Sequence, residues 1–273
     1  MKDDNMKEIF VNGIGLAAPG MSTWLEGAAI LRGDKLYEKT ELPGFAPHLL
    51  RPNERRRTTT LIKLALQVAE QAMENSTIKP DNACSVFSSA EGDTDIIDKI
   101  CLALTEPDRP VSPTHFHNSV HNAPAGYWAI ATGCQLASIS MSAGLGSYTG
   151  GLLEAASICM VEKSAALLVS YDLPPPDILK PFIPILEPFG SALITSPDPQ
   201  AGSLVKLRLE LSQSTDVTAL EDPKLEALRL SNPAAQALPL LKTIAKAIAG
   251  KQTQTVVLPY LPGQSLTVVC TPC

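Results

Sequence analysis

The stretch that most constrains this 273-residue chain runs from Ser112 to Ser170. A polar, proline-marked loop, Ser112-Pro-Thr-His-Phe-His-Asn-Ser-Val-His-Asn122, leads into a helical pattern over residues 123–132. A short buried strand at 137–141 then meets a flexible turn at Gly144–Gly146 and a small-residue helix over 148–161. A fully apolar strand at 165–170 closes the run. Strands alternating with helices predict an α/β layered fold with a mostly parallel sheet. A strand that delivers a helix N-terminus also aims free N–H groups and the positive end of the helix dipole at the turn, where an anion or a nucleophile is stabilised.

The rest of the chain extends that pattern. Residues 8–15 read as a strand that turns on Gly13 and Gly15. Residues 54–75 carry Leu61, Leu64, Ala65, Val68 and Ala72 on one helical face. A short strand at 84–88 precedes a helix at 93–104. Six prolines between Leu173 and Pro188 exclude regular structure there, so that segment is a surface excursion. Strands follow at 191–195 and 204–211, then a polar linker at 213–233. A helix over 238–249 puts Leu241, Ile244, Ala245 and Ile248 on one face with Gly250 as its cap, and a hairpin through Pro262-Gly263 ends the chain. The expected organisation is one domain over 1–273, with a core at 1–211 and a short helix and hairpin at 212–273.

Charge and composition exclude several roles. With 22 Lys+Arg against 28 Asp+Glu, the net charge of −6 argues against nucleic acid or an anionic membrane as partner. No stretch has membrane-span character, and the start, Met1-Lys-Asp-Asp-Asn5, lacks a signal-peptide core, so a cytoplasmic location is expected. The six cysteines read as reduced, buried small hydrophobes, including the terminal Cys270-Thr-Pro-Cys273, which lacks further zinc ligands. His115, His117 and His121 are spaced like metal ligands, 115 and 117 facing alike on a strand. No acid or thiol lies near to complete a set, and imidazoles packed at a subunit interface are the expectation. Gly13-x-Gly15 is followed by Pro19-Gly20, which would interrupt a nucleotide-binding helix. Arg55–Arg57 read as a solvated helix start, with an acidic carrier protein or a phosphate as the alternative contact, and Trp24, Tyr127 and Trp128 as core or interface aromatics. No cofactor and no metal are expected.

The opening Val11-Asn-Gly-Ile-Gly-Leu-Ala-Ala-Pro-Gly20, the Arg55–Arg57 run, Ser112-Pro113, Asn122, Ala125-Gly126 and Ser138-Ile-Ser140 together resemble the β-ketoacyl synthases of the thiolase-like fold. The resemblance implies a layered α/β/α core, here with an abridged C-terminal half. It places the family's nucleophilic cysteine on Leu145, or on Gly144 or Gly146 if the turn slips by one. None of these side chains can form an acyl-thioester. The family's two C-terminal histidines have no counterpart, since nothing after His121 is histidine. The chain therefore resembles the chain-length-factor subunits, and among them the short, non-catalytic proteins of bacterial aryl polyene pigment clusters. What that implies is a heterodimer with a catalytic ketosynthase, reached by an acyl carrier protein, with this subunit shaping the acyl tunnel. The 112–122 loop, with His115 at the tunnel gate beside Phe116, and with His117, His121 and Asn122, would reach across the dimer, and Glu91 would lie near the pocket floor. Two other readings stay open. One is a stand-alone acyltransferase or thioesterase using Cys134 or Ser147 with a histidine of the 115–121 cluster; the other is a homodimeric scaffold.

Overall fold

The computed structural model describes residues 7–213 and 216–273. The polar start at 1–5 and positions 214 and 215 of the expected linker lie outside the described residues. In chain order the elements are β1 (Lys7–Ala17), α1 (Trp24–Arg32), α2 (Pro52–Arg57), α3 (Thr60–Glu74), β2 (Ala83–Ser88), α4 (Thr94–Thr105), α5 (Pro113–Asn118), α6 (Ala123–Thr132), β3 (Ser138–Met141), α7 (Ser147–Ser157), β4 (Ala165–Asp172), β5 (Phe189–Ser196), β6 (Val205–Ser212), α8 (Pro223–Leu230), α9 (Leu238–Gly250), β7 (Gln254–Pro259) and β8 (Ser265–Pro272).

The strands form one sheet in the order β3-β2-β4-β5-β1-β6-β8-β7. It is not mostly parallel. Only β2 with β3 and β2 with β4 run parallel, and the other pairings are antiparallel. The reason lies in the connections. Helix-bearing crossovers keep strand direction from β1 to β4, whereas the helix-free 173–188 excursion and the β7–β8 hairpin reverse it. Each face of the sheet carries its own core. One joins the sheet to α1, α7, α8 and α9, and the other buries α3 and α6, which makes the α/β/α layering.

Glycine 13 and 15 do not turn the chain; β1 runs on through both. Their missing side chains let α3 lie on the strand, because a Cβ at Gly13 would sit 2.0 Å from Ala72 O and one at Gly15 1.9 Å from Val68 O. The helix expected over 54–75 breaks at Thr58, and Thr59 caps α3 by accepting from Ile62 N at 3.2 Å. The 112–122 loop contains α5, started by Pro113 and capped by Ser112. The polar linker likewise holds α8, capped by Asp222, and a buried 3-10 turn at Pro233–Ala237. Lys251, not Gly250, takes the left-handed cap of α9 at φ 48°. The helix expected to reach residue 161 is regular only to Ser157 and finishes as a π-turn over Ile158–Glu162. All six cysteines are free, but Cys101 and Cys273 are exposed rather than buried, and Cys134 is half-buried.

Because β1 and β4 both run antiparallel to β5, the C-terminal ends of β1 to β4 share one end of the sheet. The turns at 89–93 and 142–146, the N-terminus of α7 and the 173–188 excursion all gather there.

Candidate functional site

Strand β3, the 3-10 turn Gly144–Gly146 and α7 build the strand–turn–helix arrangement expected at this end. Leu145 caps the turn with 68% of its surface exposed. Ser147, the alternative nucleophile, is fully buried, donating from Oγ to Gly144 O at 2.7 Å and accepting from Ala143 N at 2.9 Å. Its hydroxyl locks the turn and faces no solvent. Cys134 lies elsewhere: its Sγ donates to Ala83 O at 3.4 Å, at the first residue of β2. His121 donates from Nε2 to Ser89 O at 3.2 Å, just past the last residue of β2. Six strand residues separate those anchors, roughly 20 Å. No thiol–imidazole pair is assembled between them.

The histidines do not converge either. His115 and His117 sit on a helix, not a strand, so they point about 200° apart. His115 is half-buried, whereas Phe116 bares 70% of its surface and His117 is exposed. The ring of His117 packs edge-on to Tyr127 with centroids 6.1 Å apart. His121 is pinned over the 89–92 turn, where its Cδ2 stands 3.3 Å from the Cβ position of Gly92. Among the described residues, no cluster of three His, Cys, Asp or Glu side chains could hold a metal ion. Asn122 stands at the N-cap of α6, exposed and making no capping bond, and Glu91 is exposed at the turn.

Two further groups organise this end, and neither was among the candidates read from the sequence. Asn118 is 2% exposed; it donates to Arg57 O at 2.7 Å and accepts from Tyr127 OH at 3.1 Å, tying α2, α5 and α6 together. Asp172, at the end of β4, is 1% exposed. Its Oδ1 accepts from Ser89 Oγ at 2.7 Å, Ala90 N at 2.9 Å and Glu91 N at 3.4 Å. Burial pushes its carboxyl up to about 7, helped by the Glu91 charge and opposed by those hydrogen bonds. An acid closing an otherwise apolar strand is the signal that would have found it.

The elements along the β3 side of the sheet carry exposed hydrophobic side chains, with the Asp95–Lys99 ion pair of α4 among them. Large hydrophobic side chains stand exposed at Ile97, Leu102, Leu104, Phe116, Val120, Ile130, Leu136 and Leu145, between 43% and 70% of their surface. They lie on α4, α5, α6 and the loops bounding β3. Helix α4 packs on α5, and α6 on β2 and β3. Strand β3 is the edge of the sheet, pairing only with β2 among the described residues. The backbone of Arg57 is tied to α5 by the Asn118 bond, and none of Arg51, Arg55, Arg56 and Arg57 forms an ion pair within 4.0 Å among the described residues.

Solved structures place this architecture among ketosynthases. A chain in the complex of the ketosynthase ApeO with its chain length factor ApeC from Xenorhabdus doucetiae superposes with a TM-score of 0.71 at 20% identity, covering 95% of this chain and 98% of that one. The ishigamide ketosynthase/chain length factor gives 0.72 at 15% identity, with 97% and 99% covered. The type II polyketide synthase complex AntDE:AntF, an acyl-carrier protein with its ketosynthase bound to the hexaketide, gives 0.75 at 10% identity, with 98% and 100% covered. No curated protein matches the sequence. The fold is thus the thiolase-like ketosynthase fold in abridged form. The family model for the β-ketoacyl synthase N-terminal domain matches residues 32–257, more than four-fifths of the chain, and the protein belongs to that family.

Proposed function

We propose that this chain is a non-catalytic, chain-length-factor-like subunit. It pairs in the cytoplasm with an active β-ketoacyl-carrier-protein synthase and shapes its acyl tunnel, in polyene or fatty-acid-like synthesis of the aryl polyene type. One observation carries the pairing: the free edge of β3 is flanked by exposed hydrophobic side chains, and no segment among the described residues pairs with it. Helix α6 reads Ala-Pro-Ala-Gly-Tyr-Trp-Ala-Ile-Ala-Thr, without a charge on any side. Such a helix belongs in an interior, yet Gly126 and Ile130 face solvent. The eight exposed hydrophobics bare on the order of 400–500 Å² of apolar surface, taking ~100 Å² for each side chain fully bared. That is close to the apolar share of the ~800 Å² per partner in a specific interface.

Three features support the absence of chemistry in the chain itself. The nucleophile position that the resemblance implies falls on Leu145, Ser147 is buried and doubly bonded, and the backbone anchors of Cys134 and His121 lie roughly 20 Å apart by the strand rise. In this reading the partner supplies nucleophile, histidines and the docking of the acyl carrier protein, while His115, Phe116, His117, His121, Asn122 and Glu91 lie where the two subunits meet. The test is an elongation assay with acyl- and malonyl-carrier proteins. The chain alone is expected to release no carbon dioxide and form no ketoacyl product, and the mixed subunits to elongate to a defined length. Elongation by the purified chain alone would overturn the reading.

A further inference from the structure

The outward stripe of α6 borders a cavity of about 210 Å³ that none of the described residues fills. His117, Val120, Asn122, Gly126, Tyr127 and Ile130 surround it, and no Lys, Arg, Asp or Glu is among its lining residues. Gly126 is the informative residue. It sits inside α6 with a regular bond from its N–H to Asn122 O at 3.0 Å, and its φ is not in the left-handed region. Glycine is the poorest helix former after proline. At Gly13 and Gly15 the chain's own backbone requires the missing side chain, but a Cβ at Gly126 meets no atom within 4 Å. Neither backbone conformation nor internal packing explains a glycine there; close approach by another molecule does. Two polar groups stand unused at the rim: Asn122 makes no capping bond with its side chain, and the ring contact of His117 is the edge of Tyr127.

We propose that this cavity is an anchor pocket that receives one large apolar side chain, of the leucine, methionine or phenylalanine class, from the catalytic ketosynthase subunit. This rests on the pairing proposed above and names its point of attachment. Asn122 and His117 then meet main-chain groups of the segment that carries the anchor. Three observations choose that occupant. The uncharged lining offers nothing to a phosphate or an acidic carrier protein. The volume suits one side chain rather than an extended acyl group. The pocket also lies within the apolar face beside the β3 edge, whose exposed area matches what one partner contributes to a stable interface.

The test compares wild type, Gly126→Ala and Gly126→Leu for affinity to the ketosynthase subunit by titration, with melting temperatures measured alongside. Both variants are expected to melt no lower than wild type, since each replaces glycine in a helix over open space. Gly126→Leu should weaken the complex at least 30-fold by occupying the pocket, and Gly126→Ala by less than threefold. Gly126→Gln, which fills the same space with a solvated amide, gives the same reading should the leucine variant melt low. Unchanged affinity of the filled variants would overturn the proposal while leaving the pairing intact. Loss of a homodimer, with ketosynthase binding retained, would overturn it in favour of a second copy as occupant. A wild-type chain that binds no ketosynthase would overturn the pairing itself, and the anchor with it.

Discussion

Asp172 makes the stability of this protein fall as pH rises through neutrality, and the size of the effect follows from its burial. The carboxyl sits about 7 in the folded protein against 3.8 for an ordinary aspartate. Between those values the folded state binds the proton that the unfolded state has released. The unfolding free energy therefore decreases with rising pH until the folded group has ionised, and levels off above about pH 8. From pH 5.5 to pH 8 the group spans about 1.5 pH units below its folded pKa, which is about 2 kcal/mol at 1.36 kcal/mol per unit. For a chain of this length that corresponds to a melting point roughly 3–4 °C lower at pH 8. Glu26 and Glu226, whose pKa values are held low by their hydrogen bonds, act only below about pH 4.5, whereas Asp93, raised by burial, adds a slope of the same sign as Asp172. Scanning calorimetry at pH 5.5, 6.5, 7.5 and 8.5 is the assay, with Asp172→Asn as the comparison. The amide keeps Oδ1 as acceptor for Ser89, Ala90 and Glu91 but cannot ionise. Its stability should fall by about 2 kcal/mol less than that of wild type between pH 5.5 and pH 8. An Asp172→Asn protein with the wild-type slope, or a wild type that gains stability with pH, would refute the reasoning.

Other consequences are direct. Leu145→Cys creates a thiol on an exposed turn at a helix N-terminus, so iodoacetamide should label it readily, but the variant alone should form no ketoacyl product because the histidines are absent. Gly13→Ala places a methyl 2.0 Å from Ala72 O, backbone against backbone, and should cost at least ~3 kcal/mol of stability in a urea titration, or prevent folding. Ile130→Lys, at a side chain 70% exposed, should leave the melting temperature within about 2 °C of wild type yet weaken pairing with the ketosynthase at least 30-fold, since about 2 kcal/mol of apolar burial is lost. Unaltered affinity in isothermal titration would remove α6 from the interface.

Much of the layering was legible because it rests on hydrophobic period. The buried strands β2, β4 and β5 and the stripe on α3 are written in runs that one face or two faces of a sheet demand. Strand direction was not legible, because it depends on whether a connection crosses the sheet, and the proline-rich excursion between β4 and β5 gives no periodic sign of its route. Short helices were lost for a related reason. Helix α5 and helix α8 span six and eight residues, too few for a periodic stripe, and only the capping pairs Ser112-Pro113 and Asp222-Pro223 announce them. Gly13 and Gly15 looked like a turn because glycine permits one; their actual use, room for Val68 and Ala72 of α3, depends on a helix more than fifty residues away. At the candidate site, the strand–turn–helix arrangement around Leu145 was legible, because the strand pattern, the glycine pair and the small-residue helix are all local. The Asn118 and Asp172 nodes were not, since each is defined by partners on other elements.

The most direct test of the account is the native mass of the tagged protein purified from cells that also make its ketosynthase. A one-to-one complex with a ketosynthase carrying an intact cysteine and two histidines, and its loss on Ile130→Lys, is the result the account predicts. A stable monomer or homodimer with that ketosynthase present in excess would contradict it.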